Sequence, residues 1–104
     1  MTQYYNKLVR DEMPAIIRNA GKEAVVKTVD KGECLRLLDL KLQEEVNEYQ
    51  ESKSLEELAD ICEVIRAIAD EKGVTWDELE KIRQRKLDER GGFKKRIVLI
   101  EVRG

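Results

Sequence analysis

A chain of 104 residues has room for one hydrophobic core, so residues 1–104 are expected to form a single domain. Charged residues make up 40% of it, and Ala, Glu, Lys, Leu and Arg fill half the positions, the composition of long helices rather than of a turn-rich β protein. A net charge of −2 gives no reason to expect nucleic acid as a partner, the absence of His excludes a His-based metal site, triad or proton shuttle, and no apolar run nears the roughly 20 residues of a membrane span.

Met1–Arg10 lacks the apolar stretch of a signal peptide. A short helix is predicted from near Asp11 to Gly21, with Pro14 in its first turn, where a missing N–H costs nothing. Ala24–Val29 is short and β-branched and reads as a strand. Asp30 with Glu33 caps a second helix reaching about Glu51, in which Leu35, Leu38, Leu42, Val46 and Tyr49 recur at helical spacing. Ser52-Lys53-Ser54 is a tight connection, and Ser54 with Glu57 forms the capping box of a third helix that ends before Gly73. So short a connection makes the second and third helices antiparallel neighbours. Thr75 with Glu78 repeats the device for a fourth helix, which ends near Gly91-Gly92. Arg96–Val102 reads as a second strand, expected to pair with the first because a lone strand does not stand in water. The fold class expected is mainly α, built on antiparallel helical hairpins, with a small two-stranded β element. Cys34 and Cys62 match neither a metal spacing nor a disulfide scaffold, so idle thiols in a reducing, cytoplasmic setting are expected.

The even global charge hides a local asymmetry. Glu44–Glu63 holds eight acids against Lys53 alone, while Lys81–Arg96 holds eight cations against Asp88 and Glu89. Ordinary surface helices mix signs to form i,i+4 pairs, and the hairpin of the second and third helices largely forgoes them. At about 100° per residue, Glu45 falls on the edge of the apolar arc of the second helix with Glu48 beside it. Glu57 projects inside the arc of the third helix, between Val64 and Ile68, and Asp60 lies on its border. Glu56, Glu63 and Asp70 point to solvent.

A carboxylate turned toward a core must be paired, protonated or bound to a metal. Glu45-x-x-Glu48 and Glu57-x-x-Asp60 each place both members on one helical face, and the two pairs oppose each other across the hairpin. Four convergent carboxylates suit a hard divalent cation with oxygen ligands, Mg²⁺ first and Mn²⁺ next. The basic stretch around Lys86 and Arg90 then suits substrate phosphates. The plainer alternatives remain open on the residues alone. Glu57 serves as the third residue of its capping box, Glu44, Glu45 and Glu48 pair with Lys41 or neighbouring cations, and the basic stretch is a solvated face.

Glu44-Glu45-Val46-Asn47-Glu48 followed by Glu57-Leu58-Ala59-Asp60 resembles the EExxE…ExxD signature of the all-α nucleoside triphosphate pyrophosphohydrolases, the superfamily of MazG, dimeric dUTPases and phosphoribosyl-ATP pyrophosphohydrolase. The opening Tyr5-Asn6-Lys7-Leu8-Val9-Arg10-Asp11 and the closing Lys86-x-x-x-Arg90-Gly91-Gly92-Phe93 resemble its MazG-like, phosphoribosyl-ATP-pyrophosphohydrolase-like branch. The resemblance implies Mg²⁺-dependent cleavage of a nucleotide between its α- and β-phosphates, giving monophosphate and pyrophosphate. It implies Glu45, Glu48, Glu57 and Asp60 as metal ligands and Glu44, with Glu45, as the catalytic, water-orienting acids. Lys86, Arg90, Arg10 and Lys7 are the expected phosphate-binding cations, since Arg makes bidentate contacts to phosphate and Lys offers a point charge. Only eight residues separate Glu48 from Glu57, a tighter hairpin than in the better-known members.

The resemblance also implies a four-helix-bundle-like core completed by a second copy. Three amphipathic helices in so short a chain cannot bury every apolar face, so a homodimer or homotetramer is expected, without nucleic acid or membrane as a partner. Phosphoribosyl-ATP pyrophosphohydrolase of histidine biosynthesis is the alternative within the enzyme class. A non-catalytic helical interaction or regulatory module is the alternative outside it.

Overall fold

A computed structural model describes all 104 residues, and its three long helices begin where side chains satisfy orphan backbone donors. Helix α1 covers Met13–Asn19, α2 Lys31–Ser52, α3 Leu55–Glu71 and α4 Trp76–Arg90. The Asp30 carboxylate accepts from the Glu33 N–H at 2.8 Å, the Ser54 hydroxyl from the Glu57 N–H at 3.3 Å, and the Thr75 hydroxyl from the Glu78 N–H at 3.1 Å. Helix α1 has no such cap, only Pro14 in its first turn. At the far end of α3 the Val74 N–H donates to the Ala69 carbonyl and the Gly73 N–H to that of Asp70. That pattern needs a left-handed residue at position 73, which Gly73 supplies with φ +76°.

Between α2 and α3 the turn consists of Lys53, itself left-handed at φ 57°, and Ser54. The two helices therefore run antiparallel, with Glu45 facing Glu57 and Asp60 near the turn and Cys34 facing Glu71 at the open end. Leu38 from α2 and Val64 and Ala69 from α3 are the buried apolar residues, and Glu45 is the one buried charged residue. Helix α4 meets this hairpin through its first turns. Leu79 and Ile82 line, with Leu42, Ile65 and Ile68, an apolar groove of about 340 Å³. From Lys81 onward every residue is exposed. Trp76 is half-buried at the start of α4 with the Arg66 guanidinium 5.4 Å from its ring, a packing role.

The expected two-stranded element does not form. Ala24–Val29 and Arg96–Val102 carry no strand, and no backbone hydrogen bond joins them. A β-branched run is stable as a strand only beside another edge. Here the first segment is tied back to α1 through the Arg18 guanidinium on the Ala24 carbonyl, while the second follows the outlying end of α4. Four helices make the chain mainly α, as expected, but a single chain does not close into a four-helix bundle. Only α2–α3 and α3–α4 pack against one another. A radius of gyration of 18.3 Å, against about 13 Å for a compact chain of this length, expresses the same openness. No helix is long and apolar enough to cross a membrane.

Candidate metal centre

The Ser54 cap fixes where α3 begins, and that start aims Glu57 at α2. The Ser54 N–H donates to the Ser52 hydroxyl and not to the Glu57 carboxylate, which leaves the Glu57 side chain free to turn inward. One α-helical turn later comes Asp60. On α2 the apolar face that buries Leu38 carries Glu45 two turns further on, where it is 7% exposed. Carboxylate oxygens of Glu44, Glu45 and Glu48 lie within 4.8 Å of one another, and so do those of Glu45, Glu57 and Asp60. Glu45 belongs to both groups. All five acids singled out in the sequence are thus gathered at the turn end of the hairpin.

Three cations attend them. Lys41 approaches Glu44 and Glu45, each at 3.6 Å, Lys7 donates to Glu44 at 2.6 Å, and Arg10 donates to Asp60 at 2.8 Å. The ion-paired face offered as the plainer alternative is therefore present in part, and it leaves the centre unbalanced. Glu45 Oε2 and Glu57 Oε2 are buried and meet no hydrogen-bond partner. Native proteins rarely leave such atoms unsatisfied.

Electrostatics follows from these contacts. Burial pushes the Glu57 carboxyl up to about 7, helped by the Glu45 carboxyl close beside it and by the charges of Glu48, Glu45 and Asp60. Glu45 is also raised, by burial first and by Glu48 next, against the opposing pull of the nearby Glu57 carboxyl and of Lys41. Hydrogen bonding to Lys7 holds Glu44 below the usual carboxylate range and raises Lys7 in return, each against a smaller effect of burial. Glu44 is the ionised, solvent-reachable acid, and the Glu45–Glu57 pair is the one that resists full ionisation. A divalent cation fits this donor set: oxygen ligands only, excess negative charge, and two inward oxygens lacking any partner.

Beside the carboxylates opens a cleft of about 780 Å³. Leu8, Arg10 and Met13 wall one side, and Leu38, Glu45 and Asp60 the other. Among the cations expected to meet phosphates, Arg10 lines this cleft, and Lys7 reaches Glu44 at the carboxylate cluster beside it. Lys86 and Arg90 lie elsewhere, exposed on α4 with no ion pair, and within one chain they do not join the site. The Lys7 and Arg10 ion pairs span 37 and 50 residues of sequence, a separation that leaves no local signature. Cys34 and Cys62 are both free thiols, Cys34 pushed up by burial and by Glu71 beside it and Cys62 exposed. Comparison with family models, curated proteins and solved structures yields no match to this chain.

Proposed function

We propose that this chain is a divalent-cation-dependent nucleoside triphosphate pyrophosphohydrolase of the MazG-like kind, a house-cleaning enzyme that cuts between the α- and β-phosphates to release monophosphate and pyrophosphate. The observation that carries the reading is the pair of buried, partnerless oxygens, Glu45 Oε2 and Glu57 Oε2, at the centre of five converging carboxylates. The order of the acids along the chain, EExxE then ExxD, supports the same reaction by resemblance.

In this reading Glu45, Glu48, Glu57 and Asp60 hold the cation, Mg²⁺ by preference and Mn²⁺ as a substitute. Once held, it lowers the pKa of bound water and offsets the charge on the phosphates. Glu44, ionised and paired with Lys7 in the metal-free chain, is the acid suited to orient a water. Glu45, shared by the two carboxylate groups, joins it as the second catalytic acid. The cleft beside Arg10 takes the nucleotide, with its phosphates toward Arg10 and Lys7. Lys86 and Arg90 serve it from a second copy of the chain. A homodimer or homotetramer is part of the proposal, supported by the apolar groove at Leu42, Ile65 and Leu79 and by the exposure of Ile82 and Leu87.

Incubation with Mg²⁺ and a panel of nucleoside triphosphates, dUTP and dCTP included, tests the proposal by ion-exchange analysis of products. Monophosphate with pyrophosphate is the expected result. Diphosphate with orthophosphate overturns it. Turnover confined to phosphoribosyl-ATP transfers the activity to histidine biosynthesis. An absence of turnover on every substrate, with no effect of Mg²⁺ on thermal stability, leaves a helical interaction module. Asp60→Asn and Glu48→Gln are expected to abolish turnover and cation response together.

A further inference from the structure

Residues Met1–Glu12 form no helix or strand, yet two ion pairs pin them across the hairpin. Lys7 binds Glu44 on α2 and Arg10 binds Asp60 on α3, so one short arm bridges both helices at the carboxylate cluster. Between these anchors Leu8 turns into the cleft that Leu38 and Val64 also line. The arm therefore supplies two of the three cations at the cluster, while the two inward oxygens of Glu45 and Glu57 stay unpartnered.

We propose that the Lys7–Arg10 segment is a counter-ion strap: Arg10 on the ligand Asp60, and Lys7 on Glu44 beside the ligands Glu45 and Glu48, supply positive charge that a divalent cation replaces, and its entry releases the two side chains to meet anionic groups that follow it into the cleft. The inference rests on the metal-centre reading of the previous subsection. Three features make the exchange inexpensive. Both ion pairs are partly open to solvent, with 41% and 59% of the Lys7 and Arg10 side chains exposed, which places each in the weak class of surface pairs. No regular structure in the arm has to unwind. Both side chains are long and mobile enough to change partner while Leu8 stays seated. Exchange also leaves the positive charge at the carboxylates unchanged, because the divalent charge replaces two single charges that then face the incoming anion.

The test uses the full chain and its K7M/R10M double variant, which alters only the irregular arm. Mn²⁺ affinity is measured by titration calorimetry, and tryptic cleavage after Lys7 and Arg10 of the wild-type chain is followed with and without Mg²⁺. Cleavage within the exposed Lys94-Lys95-Arg96 run is the internal reference. The double variant is expected to bind Mn²⁺ roughly two- to thirtyfold more tightly, the range set by two weak ion pairs. Mg²⁺ is expected to speed cleavage after Lys7 and Arg10 relative to the reference. Equal or weaker Mn²⁺ binding by the variant overturns the strap and leaves the metal centre standing. Tighter binding without release of the arm also overturns it, since distant charge alone then accounts for the gain. No Mn²⁺ binding by either chain removes the metal centre, and the strap with it.

Discussion

Glu57 shows how one residue carries a local and a tertiary role. Its backbone closes the Ser54 cap, legible in the sequence as S-x-x-E, while its carboxyl meets Glu45 across the hairpin. Helical period alone puts Glu57 inside the apolar arc of α3 and Glu45 on the edge of that of α2, and the structure buries Glu45 further than the edge position implied. The period did not give their mutual contact, which depends on how far the turn lets α3 slide along α2. The raised carboxyl has a consequence for stability. A group near 4.5 when unfolded and near 7 when folded binds its proton more tightly in the folded state between those values. Its contribution is complete below about pH 4.5 and drains away as pH rises toward 7. Thermal denaturation of the metal-free protein should therefore show the melting temperature falling through that window. Glu57→Gln should flatten the fall, and a wild-type curve that rises instead would refute the assignment. Saturating Mg²⁺ or Mn²⁺ should raise the melting temperature above the window in the wild type and not in Asp60→Asn.

Among the elements, the three capped helices were the most legible because each start is written in a side chain within three residues of its backbone partner. Their ends were nearly as clear, with Gly73 taking the left-handed turn after α3. The strands failed for the opposite reason. Val25, Val98 and Ile100 have strand-forming side chains, but pairing is a relation between two distant segments, and nothing local supplies the partner edge. The energetic weight follows the same division. Ser54→Ala is expected to cost about 1 kcal/mol by urea unfolding, since one cap bond is lost. Leu38→Ala, at the most buried position of the hairpin, should cost about 2–5 kcal/mol, as a cavity opens between α2 and α3. A loss at Leu38 no larger than at Ser54 would mean that the hairpin interface does not bear the stability.

As a whole, the molecule is extended, 62 × 32 × 23 Å, with three buried apolar residues, none of them completely enclosed. A hairpin with so small a core gains little from burial within one chain. Association through the groove of Leu42, Ile65, Leu79 and Ile82 is the expected remedy. Sedimentation at micromolar concentration should give a dimer or tetramer, and Ile65→Asp with Leu79→Asp should shift it toward monomer. A wild-type monomer would rule out the second copy and, with it, the role given to Lys86 and Arg90. The wild-type melting temperature should also rise with protein concentration, as mass action requires.

What the sequence determined by itself was everything carried by short-range periodicity and capping: the helical class, the starts of α2, α3 and α4, the inward face of Glu57 and the edge position of Glu45. Those features follow from hydrogen bonds and side-chain directions spanning at most a few residues. Tertiary structure alone decided that the two β-branched segments stay apart, that Lys7 and Arg10 cross to Glu44 and Asp60, and that Lys86 and Arg90 lie outside the cleft of their own chain. Each of these is a contact, or a missing contact, between segments tens of residues apart, set by how the hairpin, the arm and α4 share space.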